Sequence, residues 1–341
     1  TGKEWSYDEV VPGTYSITFK HVSGYIKPLT KTFKVETGKE IVIDGTYRVK
    51  PVATSIIAGS GGTKDKKVDI MTLGGEIITT FEPFTAPEEI RVSAGDIEGV
   101  GIDRIIITDH KKTIKLYTHE GKELSTLEMP DWYKNTTAIS GDIDGDGKAE
   151  IVSGSENDNH SQKGQRRIIK LLGYENNSLI EKETIYIEDK ENEFNLSLGD
   201  ITGDGKAELL ITDREGTRAF SIDLTSETEK LKELWAITGQ YKTAPEIATG
   251  DINDDGIAEI ALSITEEKKD KGKTKDAGII KILKGTGEEY GLTIDAYGDL
   301  GYEKTSRVIL GNIDGDGADE IITGAGSDEK NEPLIRIYNE D

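Results

Sequence analysis

The 341-residue chain contains no cysteine, which excludes a disulfide framework, a zinc thiolate centre and a thiol nucleophile. It also lacks any apolar run near the ~18 residues a membrane span requires, so direct membrane insertion is not expected. Positive charge is scarce: 42 Lys and Arg stand against 65 Asp and Glu, a formal charge of −23. Such a surface repels phosphate backbones and anionic membranes, so nucleic acid is not an expected partner. Helical periodicity is nearly missing as well. Only Ser226 to Trp235 could pass for a helix, and its place in the pattern described below predicts a strand approached by a charged loop. The chain opens at Thr1 with no signal-peptide pattern and reads as a processed chain or a fragment. Absent cysteine points to a bacterial or archaeal surface protein, and Lys far outnumbering Arg, with Lys/Glu enrichment, to a thermophile.

What is present is alternation of period two. Tyr15, Ile17 and Phe19, then Ile114 and Leu116, then Ile335 and Ile337 mark segments of strand length punctuated by Gly, Asn and Asp. This pattern predicts an all-β chain of short antiparallel strands and tight turns. Residues 1–50 read as a separate unit of three strands, with Pro12-Gly13 turning into the first and Ile41 and Ile43 in the last. No acidic loop falls within it, so we expect a spacer indifferent to metal. Pro51 marks the linker.

Residues 52–341 repeat themselves. SAGDIEGVGIDRIIIT (93–108) is followed by ISGDIDGDGKAEIVSG (139–154), SLGDITGDGKAELLIT (197–212), ATGDINDDGIAEIALS (248–263) and ILGNIDGDGADEIITG (309–324). The first acid or amide falls at positions 96, 142, 200, 251 and 312, hence intervals of 46, 58, 51 and 61 residues. A period of ~40–60 residues holding four strands is that of propeller blades. Strand pairs before the first loop and after the last predict about six blades with incomplete ends, seven being the alternative.

The loops carry the chemistry. In Asp142-Ile143-Asp144-Gly145-Asp146-Gly147-Lys148-Ala149-Glu150, oxygen side chains occupy positions 1, 3, 5 and 9, and the glycines permit positive φ. Carboxylates converging on one point repel unless a cation lies between them. An all-oxygen donor set without His or Cys selects Ca²⁺ over Zn²⁺. Position 7 would add its backbone carbonyl, from Lys148. Ile143 should pin the loop to the blade core. The second loop offers Asp200, Thr202, Asp204, Lys206 and Glu208. The third offers Asp251, Asn253, Asp255, Ile257 and Glu259, and the fourth Asn312, Asp314, Asp316, Ala318 and Glu320. One acidic Asp/Gly turn is common and means little; four in one register predict about four calcium ions. An EF-hand needs a bidentate acid at position 12, where this chain has Ser153, Ile211, Leu262 and Thr323.

The pattern G-D-x-[DN]-x-D-G-x-x-[DE] followed by apolar residues and Gly resembles the FG-GAP repeat of integrin-α propellers and related VCBS-type surface repeats. That resemblance implies a β-propeller whose loops join the first two strands of each blade and carry calcium on the lower face of the ring. VPGTYSITF and the strands after it resemble the PEGA-like β-sandwich modules of bacterial surface proteins, implying a spacer. No D-x-S-x-S insert and no RGD are present, so an integrin ligand does not carry over.

The loop at Asp96 departs from the pattern, with Val100 at position 5 and Arg104 at position 9. No calcium is expected there, and Arg104 could replace the cation by pairing with Asp96 or Glu98. His21, His110, His119 and His160 lack metal spacing and read as surface histidines. Runs 155–167 and 266–276 and the Trp132-Tyr133 segment read as long loops. Asn135 and Asn195 sit in glycosylation sequons. The function expected is an extracellular, calcium-stabilised binding, adhesion or surface-structural module, without catalytic residues, whose partner is a surface protein or glycan within a larger assembly. The alternative is a calcium-dependent polysaccharide-active enzyme of the lyase-like propeller kind. Few Arg and strong negative charge disfavour an acidic sugar, and no nucleophile–base constellation is visible.

Overall fold

The computed structural model describes residues 10–50, 53–60, 66–87, 89–155, 166–188, 193–270, 273–302, 304–325 and 334–340. Four short strands come first: β1 (Gly13–Ile17), β2 (Tyr25–Ile26), β3 (Lys31–Val35) and β4 (Arg48–Val49). They pair antiparallel as β1–β3 and β2–β4. The strand expected at Ile41 and Ile43 does not form, and Val42 between them is 85% exposed. With no neighbouring strand to accept its hydrogen bonds, alternation alone does not make a strand there.

Six antiparallel sheets follow. Blade 1 is β5 (Ile56–Gly59), β6 (Val68–Met71) and β7 (Ile77–Phe81). Blade 2 is β8 (Arg91–Gly95), β9 (Arg104–Thr108), β10 (Thr113–Tyr117) and β11 (Glu123–Glu128). Blade 3 is β12 (Thr137–Gly141), β13 (Glu150–Ser155), β14 (Arg166–Glu175) and β15 (Ser178–Glu188). Blade 4 is β16 (Phe194–Gly199), β17 (Glu208–Asp213), β18 (Gly216–Ile222) and β19 (Leu231–Thr238). Blade 5 is β20 (Glu246–Gly250), β21 (Glu259–Asp270), β22 (Lys273–Leu283) and β23 (Glu289–Ile294). Blade 6 is β24 (Arg307–Gly311), β25 (Glu320–Ala325) and β26 (Leu334–Tyr338). This is a six-bladed β-propeller with three-stranded end blades. Leu231 to Trp235 are strand, as the repeat pattern required. Residues 266–276 are less a loop than an extension of the β21–β22 ladder, which runs out to the pair Asp270–Lys273.

Each blade buries one face on the next. Val152, Ile169 and Leu171 of blade 3 meet Leu196, Leu209 and Ile211 of blade 4, and comparable apolar clusters fill the seams from blade 1 through blade 6. A backbone bond repeats at every one of these seams past blade 2. The position-8 N–H of one loop donates to the position-1 carbonyl of the loop before it: Ala149 to Asp96, Ala207 to Asp142, Ala258 to Asp200 and Asp319 to Asp251, all 2.8–2.9 Å. The glycine before each position-1 residue lets these loops approach. A Cβ added at Gly141 would lie 3.2 Å from the Ala207 Cβ and 2.8 Å from the Leu198 Cβ. The G-D dipeptide and the position-8 alanine are therefore two halves of one contact.

The closing seam between blades 6 and 1 is different. Ala53 N–H donates to Asn312 O at 2.8 Å, continuing the series. At the opposite end, Arg307 pairs with Glu89, in the segment that leads from blade 1 to blade 2, and with Glu246 of blade 5. Ile309 on the inner strand of blade 6 is half exposed there. Polar contacts rather than an apolar cluster hold this seam among the described residues.

Candidate metal centre

The five Asp/Gly loops connect the first and second strands of blades 2 to 6 and lie on one face of the ring, at the C-terminal ends of the inner strands. In each of the four intact loops the turn is wound around its first residue. Asp142 Oδ1 and Oδ2 accept from Gly145 N and Gly147 N at 2.7 and 2.9 Å. Asp200 accepts from Asp204 N and Gly205 N, and Asp251 from Asp255 N and Gly256 N, at 2.7–2.9 Å. Asn312 Oδ1 accepts from Gly315 N at 2.7 Å. The position-9 glutamates fold back and accept the position-2 amide: Glu150 from Ile143, Glu208 from Ile201, Glu259 from Ile252 and Glu320 from Ile313, at 2.7–3.1 Å. Ile143, Ile201 and Ile252 are buried in the blade core, as expected of a residue that anchors the loop. At position 6 the glycines take φ near +90° to +110° (Gly147, +93°; Gly317, +110°), a region closed to other residues.

This winding brings the acids together. Carboxylate oxygens of Asp142, Asp144 and Asp146 lie within 4.8 Å of one another, as do those of Asp314, Asp316 and Glu320. In the second and third loops position 3 is Thr202 and Asn253, whose side chains donate to Glu208 and Glu259 at 3.4 and 3.2 Å and so face the same point. Position 5 is held by its own turn, with Lys148, Lys206, Ile257 and Ala318 donating their N–H to Asp146, Asp204, Asp255 and Asp316.

The electrostatics register the crowding. Burial first, then the neighbouring aspartates, pushes Glu150 up to about 7 and Glu208 and Glu259 up to about 8. Burial likewise raises Asp200 to about 6, and Asp142 moves in the same direction. Burial and like charge make the ionised form of these carboxyls costly, a cost that a bound cation would offset. Oxygen-only donors, short carboxylates on a tight turn and a buried glutamate fit a hard divalent cation, Ca²⁺ before Zn²⁺.

The loop at Asp96 is built otherwise. Arg104 pairs with Glu98, not with Asp96. Asp96 is wound into its turn as the other position-1 residues are, its two oxygens accepting from Val100 N and Gly101 N at 3.0 and 2.7 Å. A guanidinium thus stands where the other loops gather carboxylates.

Several residues at this face escaped sequence reasoning. Lys50 Nζ reaches Asp251 Oδ2 at 2.7 Å, Asp254 Oδ1 at 2.6 Å and Gly317 O at 2.9 Å. Arg48 reaches Asp142 at 3.3 Å. Within the described part of the first segment, β4 and the residue after it thus bring two cations, Arg48 and Lys50, to the loops. One signal was present: Asp254 occupies position 4, where the other loops have Gly, and takes φ +53°.

At the other end of the inner strands, a cleft of about 270 Å³ is lined by Arg91, His110, Asn135, Glu193, Asn195 and Glu246, among others. Its one arginine is engaged, Arg91 with Asn195 and Glu89, and its Glu246 pairs with Arg307 outside the lining. Asn195 is buried and donates to Pro245 O, so its sequon is no glycosylation acceptor. His119 is exposed, as read from sequence, whereas His110 faces this cleft. Tyr133 is fully buried against Ser153, while Trp132 is exposed. His160 and positions 156–165 of the 155–167 insertion lie outside the described residues, as does Pro51.

An FG-GAP-like repeat family matches residues 142–211. Among solved structures, the rhamnogalacturonan lyase YesW is 15% identical over 90% of this chain and 57% of its own, with a TM-score of 0.42. A Bacillus licheniformis rhamnogalacturonan lyase is 13% identical over 91% of this chain and 64% of its own, TM-score 0.40. The Dos1 propeller is 13% identical over 83% of this chain and 63% of its own, TM-score 0.41. The chain spans less than two thirds of the length of each of these three. No curated protein matches it in sequence.

Proposed function

We propose that this chain is a calcium-stabilised propeller that serves as a binding, adhesion or structural module on a cell surface or in an extracellular assembly. The observation that carries this is the fourfold recurrence of a loop wound to gather acids around its buried or half-buried first and ninth residues, three of whose glutamates are pushed to about 7 or 8. The side chains at positions 1, 3, 5 and 9, from Asp142–Glu150, Asp200–Glu208, Asp251–Glu259 and Asn312–Glu320, would hold the ions. The carbonyls of Lys148, Lys206, Ile257 and Ala318 complete each set. Calcium there supplies charge compensation and stiffness, not chemistry. Residues 1–50 serve as a PEGA-like module joined to the ring, and the partner is a surface protein or a glycan. Among the described residues no helix is long and apolar enough to cross a membrane. Calorimetric titration tests the reading: about four calcium ions per chain are expected, and two or fewer would refute it.

A second reading, a calcium-dependent polysaccharide-active enzyme, draws on the cleft that holds His110, Glu193 and Glu246. The propeller fold hosts binding and catalysis alike. Release of unsaturated sugar from pectic polysaccharides, followed by ultraviolet absorbance, and of new reducing ends from neutral ones separates the two readings; the binding module gives neither signal.

A further inference from the structure

We propose that residues 21–50 form a basic clamp seated on the four acidic loops, and that calcium loading of the loops loosens it. The proposal rests on the calcium reading above.

The clamp touches every intact loop. Arg48 lies on Asp142 of the first loop at 3.3 Å. Leu29 sits over the glycines of the first two: a Cβ added at Gly145 or Gly205 would come within 2.6 Å of its methyl carbons. Lys27 Nζ lies beside Gly203 of the second loop. His21 approaches Asp254 of the third at 3.9 Å, and the Gly24 amide donates to the same carboxylate at 3.2 Å. Lys50 then bridges the third loop to the fourth through Asp251, Asp254 and Gly317 O. Residues 21–50 carry six Lys and Arg against three acids, +3 in a chain of −23. Charge complementarity of this kind marks a docking surface.

The clamp and the ions need the same carboxylates. Lys50 and Arg48 bond to the position-1 aspartates, Asp251 and Asp142, which head the ligand sets. A divalent ion on such a carboxylate repels an ammonium or guanidinium a few ångströms away. The charges that offset the burial of Lys50 are those of Asp251 and Asp254, so weakening that attraction favours its return to water. An open cleft of about 260 Å³ at the edge of this seat is lined by Lys27, Leu29 and Arg48 together with Gly145, Asp146 and Gly205, so water reaches the contact. Binding linkage is reciprocal: if calcium weakens docking by some factor, docking weakens calcium by the same factor.

Hydrogen exchange of residues 21–50 in the full chain, with EGTA and then with calcium, reads the clamp directly. Calorimetric titration of wild type and of Lys50→Met reads the linkage. We expect exchange in 21–50 to rise on adding calcium, and Lys50→Met to bind calcium about tenfold more tightly at one or two of four sites, within the usual range of coupling. Lys50→Arg keeps the charge and should titrate like wild type. If four ions bind while protection of 21–50 and the Lys50→Met affinities stay unchanged, the clamp is wrong and the calcium reading stands. If no calcium binds, both fall.

Discussion

Removing calcium at pH 8 should soften the whole ring. The buried glutamates at position 9 are the reason. Their pKa values in the folded, ion-free chain are about 7 for Glu150 and about 8 for Glu208 and Glu259, above the ordinary 4.5. A carboxyl raised on folding binds more protons folded than unfolded, so its stabilisation is complete below about 4.5 and is lost as pH rises toward 8. The ion-free protein should therefore melt higher at pH 5 than at pH 8. Calcium replaces the missing charge and should remove or reverse that slope. At ~2 mM calcium and an extracellular-type Kd of ~0.1 mM, RT ln(1 + [L]/Kd) gives about 1.8 kcal/mol per site. Four independent sites sum to roughly 7 kcal/mol, which at about 2–4 °C per kcal/mol for a domain of this size is a shift of roughly 15–25 °C. Scanning calorimetry in EGTA and in calcium, at both pH values, measures it. Equal melting temperatures in EGTA and calcium at pH 8 would refute structural calcium, however well the loops are wound.

Other outcomes follow from named contacts. Arg307→Ala should lower stability by about 1–2 kcal/mol, a half-exposed arginine between two glutamates being partly screened, and should raise exchange at Ala53 and Arg91 more than in blades 3 and 4. Gly141→Val should cost about 1–3 kcal/mol by overpacking against Leu198 and Ala207. Gly311→Val at the equivalent place in blade 6, with nothing within 4 Å of an added Cβ, should cost distinctly less by chemical denaturation. Val100→Asp with Arg104→Glu should convert the loop at Asp96 into a calcium site, and titration should then count one ion more than wild type.

The loops show how far residue order alone reaches. Positions 1, 3, 5 and 9 were legible because their geometry is local: nine residues wind around their own first side chain, and the winding repeats. Blade strands were legible for the same reason, alternation being a property of neighbours. The partner of Arg104 was half legible, since Asp96 and Glu98 were both within reach and only the folded loop places the guanidinium on Glu98.

What order could not give lies between segments distant in the chain. Lys50 and Asp251, 201 residues apart, or Arg307 and Glu89, 218 apart, meet because a ring brings its ends together, and no period encodes that meeting. Alternation at Ile41 and Ile43 promised a strand that needed a neighbour the fold does not supply. The Asn195 sequon promised an acceptor, but blade packing gave its amide to Pro245 and Arg91. Sequence determined the repeat, the gathering of acids in its loops and the all-β propeller. Tertiary structure alone decided that Arg48 and Lys50 face those loops with cations, because electrostatic complementarity between separate surfaces exists only once both have folded.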